Sequence, residues 1–287
     1  MIEPLRLTSC LVLSSPHSGS LYPSRFLQSA RLDAASLRRS EDAFVDELFL
    51  PAVGLGMPLL RARFPRSYLD ANREPYELDP RMFEGRLPPY ANTRSVRVAG
   101  GLGTIARVVG DAQEIYAGRL RVEDGLRRIE ELHKPYHAAL RMLTDRAVRR
   151  FGRTLLVDCH SMPSCSPAPG HAARDERAKA DVVLGDRYGT SCDRLFADAA
   201  EYELRRSGYA VERNKPYAGG YITEHYGQPG AGRHALQIEI NRALYMDERS
   251  LRKLADFATV AGHLRSVVKV LAGLLEAGTA GEREAAE

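Results

Sequence analysis

Two histidines in this chain of 287 residues follow runs of strand-forming residues. His17 comes after CLVLS, within SSPHSG (Ser14–Gly19), and His160 closes TLLVDCHS (Thr154–Ser161). In α/β proteins ligands bind beyond the carboxyl ends of strands, so both stand where sites form. A histidine there can also do no more than cap the next turn. Two in the same position after two strands suit one shared site, and neutral imidazole is the commonest zinc ligand. A catalytic zinc takes three protein ligands and keeps one position open, which calls for a third donor, most often a carboxylate.

The stretch SEDAFVDEL (Ser40–Leu48) offers Glu41, Asp42, Asp46 and Glu47 at the expected start of a helix, where some of them complement the helix dipole. Asp158, two residues before His160, suits a partner that orients a histidine. In HALQIEINRALYMDE, alternation puts Leu236, Ile238 and Ile240 on one side of a strand and Gln237 and Glu239 on the other. Glu239 there is either part of a solvated edge or a general base for a metal-activated water. Arg73 in LDANREPYE and Arg233 in GAGRHALQIE carry the fork that grips carboxylates, which suits an acidic substrate; ion pairs with Asp70 or Glu77 account for them equally well. Cys159 and His160 are adjacent on a strand and point to opposite faces, so they make no dyad, and Cys159 reads as a small core residue. GLGTIA (Gly101–Ala106) has the spacing of a dinucleotide fingerprint, but the preceding ANTRSVRVA is too polar for a buried strand, and no nicotinamide cofactor is expected.

The elements that must position these residues alternate along the chain. Strands are expected at Cys10–Ser14, Pro58–Arg63, Thr154–Asp158, Asp181–Gly185 and Ala235–Ile240. Amphipathic helices are expected at Ala35–Val53, Val122–Phe151, Cys192–Ser207 and Glu248–Glu276. Near-continuous apolar strands separated by helices imply an α/β sheet covered on both faces. Three irregular segments, Tyr76–Gly103, Ser161–Ala180 and Asn214–Arg233, suggest a pocket roofed by loops at one sheet edge. The whole of 1–287 reads as one catalytic domain with an irregular lobe at about 76–103 and a frayed tail at 279–287.

Composition narrows the function classes. Hydrophobic residues make up 44% and charged residues 27%, ordinary for a globular chain, and the net charge of +4 is scattered. That argues against nucleic acid, which wants a concentrated basic stripe. No apolar run approaches the roughly 20 residues of a membrane span, so no membrane role is expected. The N-terminus lacks a signal-peptide layout. Cysteines at 10, 159, 165 and 192 form neither a CxxC pair nor a disulfide spacing, which suits free thiols in a reducing cytoplasm.

PHSG, SEDAFVDELF, SYLDANR, LLVDCHS, DVVLGDRYG and above all GGYITEHYGQPGAGRHALQIEINRALYMDE resemble the N-formylglutamate amidohydrolases, from about Ser14 to about Glu248. The resemblance implies a three-layer α/β fold similar to zinc carboxypeptidases and aspartoacylases (phosphorylase/hydrolase-like), with a mixed sheet between helical layers and one zinc ion per chain. It implies hydrolysis of the amide of a small N-acyl amino acid, as in deformylating N-formyl-L-glutamate during histidine degradation. His17 and His160 then match zinc ligands, with Asp42 as the third and Glu41 as its alternative. The carboxypeptidases place a glutamate three residues after the first histidine, and Ser20 stands there instead. Glu239 matches the general base and Arg73 the substrate-carboxylate anchor. Arg73 or His225 would support the oxyanion, and Arg233 is the next candidate for the carboxylate. The competing readings are a metal-free cysteine or serine amidase and an inactive amino-acid-binding relative.

Overall fold

Leu11–Ser15 (β1) and Thr154–Met162 (β3) are buried at every position, as strands covered on both faces must be. The computed structural model describes residues 1–164 and 180–284. Among these, Leu59–Arg61 (β2), Val182–Gly185 (β4), Val211–Arg213 (β5) and Arg233–Asn241 (β6) complete a six-stranded sheet of order β2-β1-β3-β6-β4-β5. β1, β3 and β6 run parallel, β4 runs antiparallel to β6, and β5 runs parallel to β4. The expected α/β class with a mixed central sheet flanked by helices is therefore what the chain adopts.

Two compact units divide the chain: Met1–Ser15, Phe44–Leu60 and Arg141–Glu287 form the first, and Pro16–Ala43 and Arg61–Leu140 the second. The first holds the sheet. Val45–Phe49 (α2, following the short α1 at Ala34–Arg38) packs on β1 and β3, while Arg194–Arg206 (α4, following α3 at Lys134–Phe151) packs on β4 and β5. Tyr221–Tyr226 (α5) lies on β6 and β3. Phe257–Glu284 (α6) packs against α4 and α2, burying Val260, Leu264, Val267, Val268, Leu271 and Leu275. Each such side chain contributes about 1.5–3 kcal/mol.

Several expectations change. The third strand continues four residues past Asp158, because β6 pairs with it as far as Asn241↔Met162. His160 therefore lies inside a ladder instead of beyond its end. The helix expected at Ala35–Val53 is broken into α1, α2 and a 3₁₀ turn at Leu50–Leu55. Glu41 and Asp42 fall in the break, where the Asp42 N–H donates to the His17 carbonyl at 3.0 Å and Phe44 takes a left-handed φ of 65°. The last helix starts at Phe257, not Glu248, because Met246–Asp247 and Arg252–Lys253 pair as a small antiparallel ladder. That helix also corrects the reading of apolar runs: Phe257–Glu276 is long and apolar enough to cross a membrane, with mean hydropathy 1.3, although its apolar side chains are those packed inside the first unit. Of the irregular segment Ser161–Ala180, residues 165–179, with Cys165, lie outside the described residues, as do 285–287 of the tail.

The second unit is built around Phe26, Leu37, Leu69, Leu78, Phe83, Ile105, Ile115 and Ile129. The buried Arg128 guanidinium lies 4.0 Å from the Tyr68 ring and donates to the Tyr68 carbonyl at 3.1 Å and the Tyr116 hydroxyl at 2.6 Å. GLGTIA follows a short helix, Val96–Ala99, not a strand. Gly103 is there for close packing: a Cβ would fall 2.2 Å from the Glu77 carbonyl oxygen.

Asp79 is the polar anchor of this unit. Buried, it accepts from Arg81 Nη2 at 2.8 Å, Arg107 Nε at 2.9 Å and the Arg81 backbone N–H at 3.0 Å. Burial alone would raise its pKa, but these hydrogen bonds win and hold the carboxyl below its ordinary value. A carboxyl whose native pKa is depressed stabilises the fold fully above its unfolded pKa of about 3.9 and loses that contribution as pH falls through the native pKa. Thermal melts from pH 7 down to pH 2 should therefore show Asp79→Asn less stable than the parent above pH 4, with the gap narrowing on acidification. A gap independent of pH would mean that packing, not ionisation, sets the difference.

Candidate active site

In parallel strands, register partners present their side chains to the same face. Ser14 pairs with Asp158, Asp158 with Gln237, and His160 with Glu239. These five therefore share one face near the carboxyl ends of β1, β3 and β6, on strands about 4.8 Å apart. Leu13, Val157, Cys159, Leu236 and Ile238 fall on the other. The two-residue period thus puts Asp158 and His160 on one face of TLLVDCHS and Leu155, Val157 and Cys159 on the other.

On the polar face, His160 Nε2 lies 2.9 Å from Asp158 Oδ2, and Ser14 Oγ donates to Asp158 Oδ1 at 3.3 Å. A carboxylate on Nε2 selects the tautomer protonated there and turns Nδ1 outward as the acceptor. Glu239 stands across from His160 with its Oε1 accepting from Gln237 Nε2 at 2.9 Å. Cys159 is no nucleophile here. Its side chain lies on the opposite face, and burial together with the Asp158 charge pushes the thiol well above its ordinary pKa. Among the described residues Cys10, Cys159 and Cys192 are all buried free thiols.

Within the second unit, His17 follows β1 by two residues. The backbone Arg63–Phe64 runs hard against Gly19, where a Cβ would sit 2.6 Å from the Arg63 carbonyl carbon. His17 Nε2 meets Asp70 Oδ1 at 2.6 Å, and Nδ1 faces Asp42 Oδ2 at 3.3 Å. Asp70 also accepts from the Asn72 N–H at 2.8 Å and from Arg66 Nη2 at 2.9 Å. Burial would raise its pKa, but Arg73, His17 and Arg66 together hold the carboxyl well below the usual range. His17 Nδ1 and the Asp42 carboxylate thus face each other at 3.3 Å, and both are atoms of the kind that ligate a metal ion. Glu41 is engaged elsewhere: it accepts from Tyr22 Oη at 2.7 Å and Arg38 Nε at 3.2 Å. Asp46 and Glu47 stay in the first turn of α2, where they complement its dipole.

His17, Asp42 and His160 form a buried group whose ligand atoms all lie within 4.8 Å of one another, and this group could bind a metal ion. The donor set, two imidazoles backed by carboxylates and one carboxylate, is the kind that holds zinc in hydrolases.

Arg73 sits three residues beyond Asp70. It donates through Nε to the Leu102 carbonyl at 3.0 Å and through Nη1 to the Asn72 carbonyl at 2.8 Å, with Nη2 3.7 Å from Asp70. Its loop is braced from the helical run at Val122–Phe151: His133 donates to the Arg73 carbonyl at 2.9 Å and His137 to the Ala71 carbonyl at 2.8 Å, the two rings stacked 4.4 Å apart. His225 is exposed on α5 and stacks on Tyr221 at 5.1 Å. Arg233 is not brought to this place. It begins β6, six residues or about 20 Å from Glu239, and pairs with Asp145 at 2.8 Å. The alternation that exposes its neighbours' roles says nothing about which end of a strand carries chemistry, and parallel register settles that. Arg66 and Gln237 were not singled out in sequence as site residues, and Asp70 appeared there only as an ion-pair partner. Its position in SYLDANR, three residues before a candidate arginine, was the available signal.

A profile of the N-formylglutamate amidohydrolase family matches residues 9–246. The chain belongs to that family. Two N-formylglutamate deformylases are similar along most of their length. The one from Pseudomonas putida is 29% identical over 83% of this chain and 82% of its own. That from Pseudomonas aeruginosa is 30% identical over 91% and 90%. The crystal structure of N-formylglutamate amidohydrolase from Ralstonia eutropha JMP134 superposes with a TM-score of 0.88 at 37% identity, covering 96% of this chain and 97% of that one. A gene product of Agrobacterium tumefaciens, at 18% identity and a TM-score of 0.65 over 93% and 92% of the two chains, shares the fold. The match to the family takes in every residue of the group described above, from His17 to Glu239, and stops short of α6.

Proposed function

We propose that this chain hydrolyses the formamide of N-formyl-L-glutamate to formate and glutamate, with one zinc ion held by His17, Asp42 and His160 and with Glu239 as general base. The observation that carries the reading is the buried His–Asp–His group in a chain of this family. Bound zinc supplies Lewis acidity and lowers the pKa of a water toward about 7.

The protein's own part follows from its contacts. Asp70 and Asp158 keep the proton on Nε2 of His17 and His160, so both rings offer Nδ1 as the donor. Glu239 takes the proton of the water that attacks the formyl carbon and returns it to the nitrogen as the C–N bond breaks. Arg73 holds the substrate carboxylate. Because its Nε and one hydrogen of Nη1 go to backbone carbonyls, it meets the substrate through the remaining hydrogens of Nη1 and Nη2, a fork that a lysine does not reproduce. His225, exposed on α5, is a further donor to the substrate.

Three expected outcomes test this reading. His17→Ala and His160→Ala should each lose most bound zinc, measured as metal content of the purified variants, and Asp42→Ala should do the same while Glu41→Ala does not; full zinc occupancy in both histidine variants would sink the ligand assignment. Glu239→Gln should keep its zinc and its substrate affinity while kcat falls by roughly 10²-fold or more. Normal turnover there would place the base elsewhere, and loss of zinc would make Glu239 a ligand. Arg73→Lys should lower kcat/KM by about 10- to 150-fold, the worth of one charge-assisted hydrogen bond. The loss should be large for N-formyl-L-glutamate and small for a substrate analogue with its carboxylates amidated. Equal losses on both would return Arg73 to a purely structural role in the Asp70 loop.

A further inference from the structure

Glu239 is the end of a chain of contacts that starts at a glycine two strands away from His160. Gln237 lies two residues before Glu239 on the same face of β6 and is buried. Its Oε1 accepts the Gly220 backbone N–H at 2.7 Å. A backbone N–H is a donor only, so this contact settles which end of the amide is which. Nε2 is thereby turned toward Glu239 and donates to Oε1 at 2.9 Å. Gly220 is within reach because the backbone Ala218–Gly219 lies directly on Gly185 of β4, the residue paired with Gln237 across the ladder. A Cβ on Gly185 would fall 2.7 Å from the Ala218 carbonyl carbon and 2.8 Å from the Gly219 nitrogen, distances that real Cβ atoms do not show. Gly219 itself has φ of 121°, open only to glycine, and the Arg187 N–H holds the Ala218 carbonyl at 2.8 Å.

We propose that Gln237 is the positioning residue for Glu239: locked by the Gly220 N–H, its amide ties down Oε1 of the carboxylate, and the absent side chain at Gly185 is what makes the lock reachable. The inference rests on Glu239 being the base. A glutamate has three rotatable bonds, and a base must hold its oxygen within hydrogen-bond reach of the water it deprotonates. A donor whose amide is itself fixed by a backbone N–H restricts that freedom. It also explains why both glycine-dependent features, the missing Cβ at 185 and the positive φ at 219, stand beside this strand.

The test measures kcat, KM and zinc content for Gln237→Leu, Gly185→Ala, the double variant and Glu239→Gln, using the zinc-loaded full chain and N-formyl-L-glutamate. A misplaced base costs about 10- to 100-fold. Gln237→Leu should therefore show that loss in kcat with KM and zinc content unchanged, because the Gln237 amide acts on the Gly220 N–H and the Glu239 carboxylate. Gly185→Ala should lower kcat in the same way by pushing the Ala218–Gly220 backbone off the amide. Since it acts through Gln237, the double variant should be no slower than Gln237→Leu alone. Wild-type kcat in Gln237→Leu, alongside a crippled Glu239→Gln, overturns the proposal and leaves the base assignment standing. Multiplying losses in the double variant overturn it as well, because the glycine then acts by another route. A fully active Glu239→Gln removes the base, and the proposal with it. If Gln237→Leu does not fold, Gly185→Ala alone decides through its kcat and KM: a loss confined to kcat supports the relay, and an unchanged kcat overturns it.

Discussion

The parallel pairing of β1, β3 and β6 is the constraint on which the rest depends. Its register sets Ser14, Asp158 and Gln237 side by side, and His160 beside Glu239. Because side chains alternate with a period of two, one ladder decides at a stroke which residues face chemistry and which face the core. A slip of one residue would exchange His160 for Cys159 and Glu239 for Ile238. The apolar residues of the opposite face hold the register against such a slip, so core packing and site geometry are the same fact seen from two sides.

Burying so many polar groups is costly unless each is paired. The structure meets this by chaining them. Asp158 takes His160 and Ser14, and Asp70 takes His17, Arg66 and the Asn72 N–H. The arginines do more than neutralise. By holding Asp70 ionised against the pull of burial, they keep it an acceptor and so keep the proton on the far nitrogen of His17. The stacked His133–His137 pair then fixes the backbone that carries Asp70 and Arg73.

The same logic places the departures from regular structure. The break between α1 and α2 releases the Asp42 N–H to the His17 carbonyl, which brings the carboxylate of Asp42 against the ring of the same histidine. An unbroken helix over Ala35–Val53 would have kept that N–H for itself. Phe44 accepts a left-handed conformation at the break, and its ring is covered by Phe257 with centroids 6.4 Å apart. Local propensity yields here to the position of a carboxylate, as it does at many functional sites.

By itself the sequence determined the α/β class and five of the six sheet strands to within a few residues, and it singled out His17, His160, Glu239 and the pair Glu41 and Asp42 as candidates for chemistry. These follow from periodicity, from residue type at strand ends, and from motifs long enough to mark a family. Tertiary structure alone decided what those signals cannot encode. Where β3 ends depended on how far β6 accompanies it, since a ladder needs a partner and a strand propensity does not name one. That Asp42 and not Glu41 faces the His17 ring depended on Tyr22 and Arg38, which claim Glu41, the first of them through a contact 19 residues distant in sequence. Arg233 and Arg73 are equally plausible forks in one dimension, yet register puts Arg233 at the far end of its strand, beside Asp145. The supports of Asp70 and Gln237 were hidden for the same reason: an orienting residue is defined by the hydrogen bond it makes across space, and a sequence lists donors and acceptors without saying which of them meet.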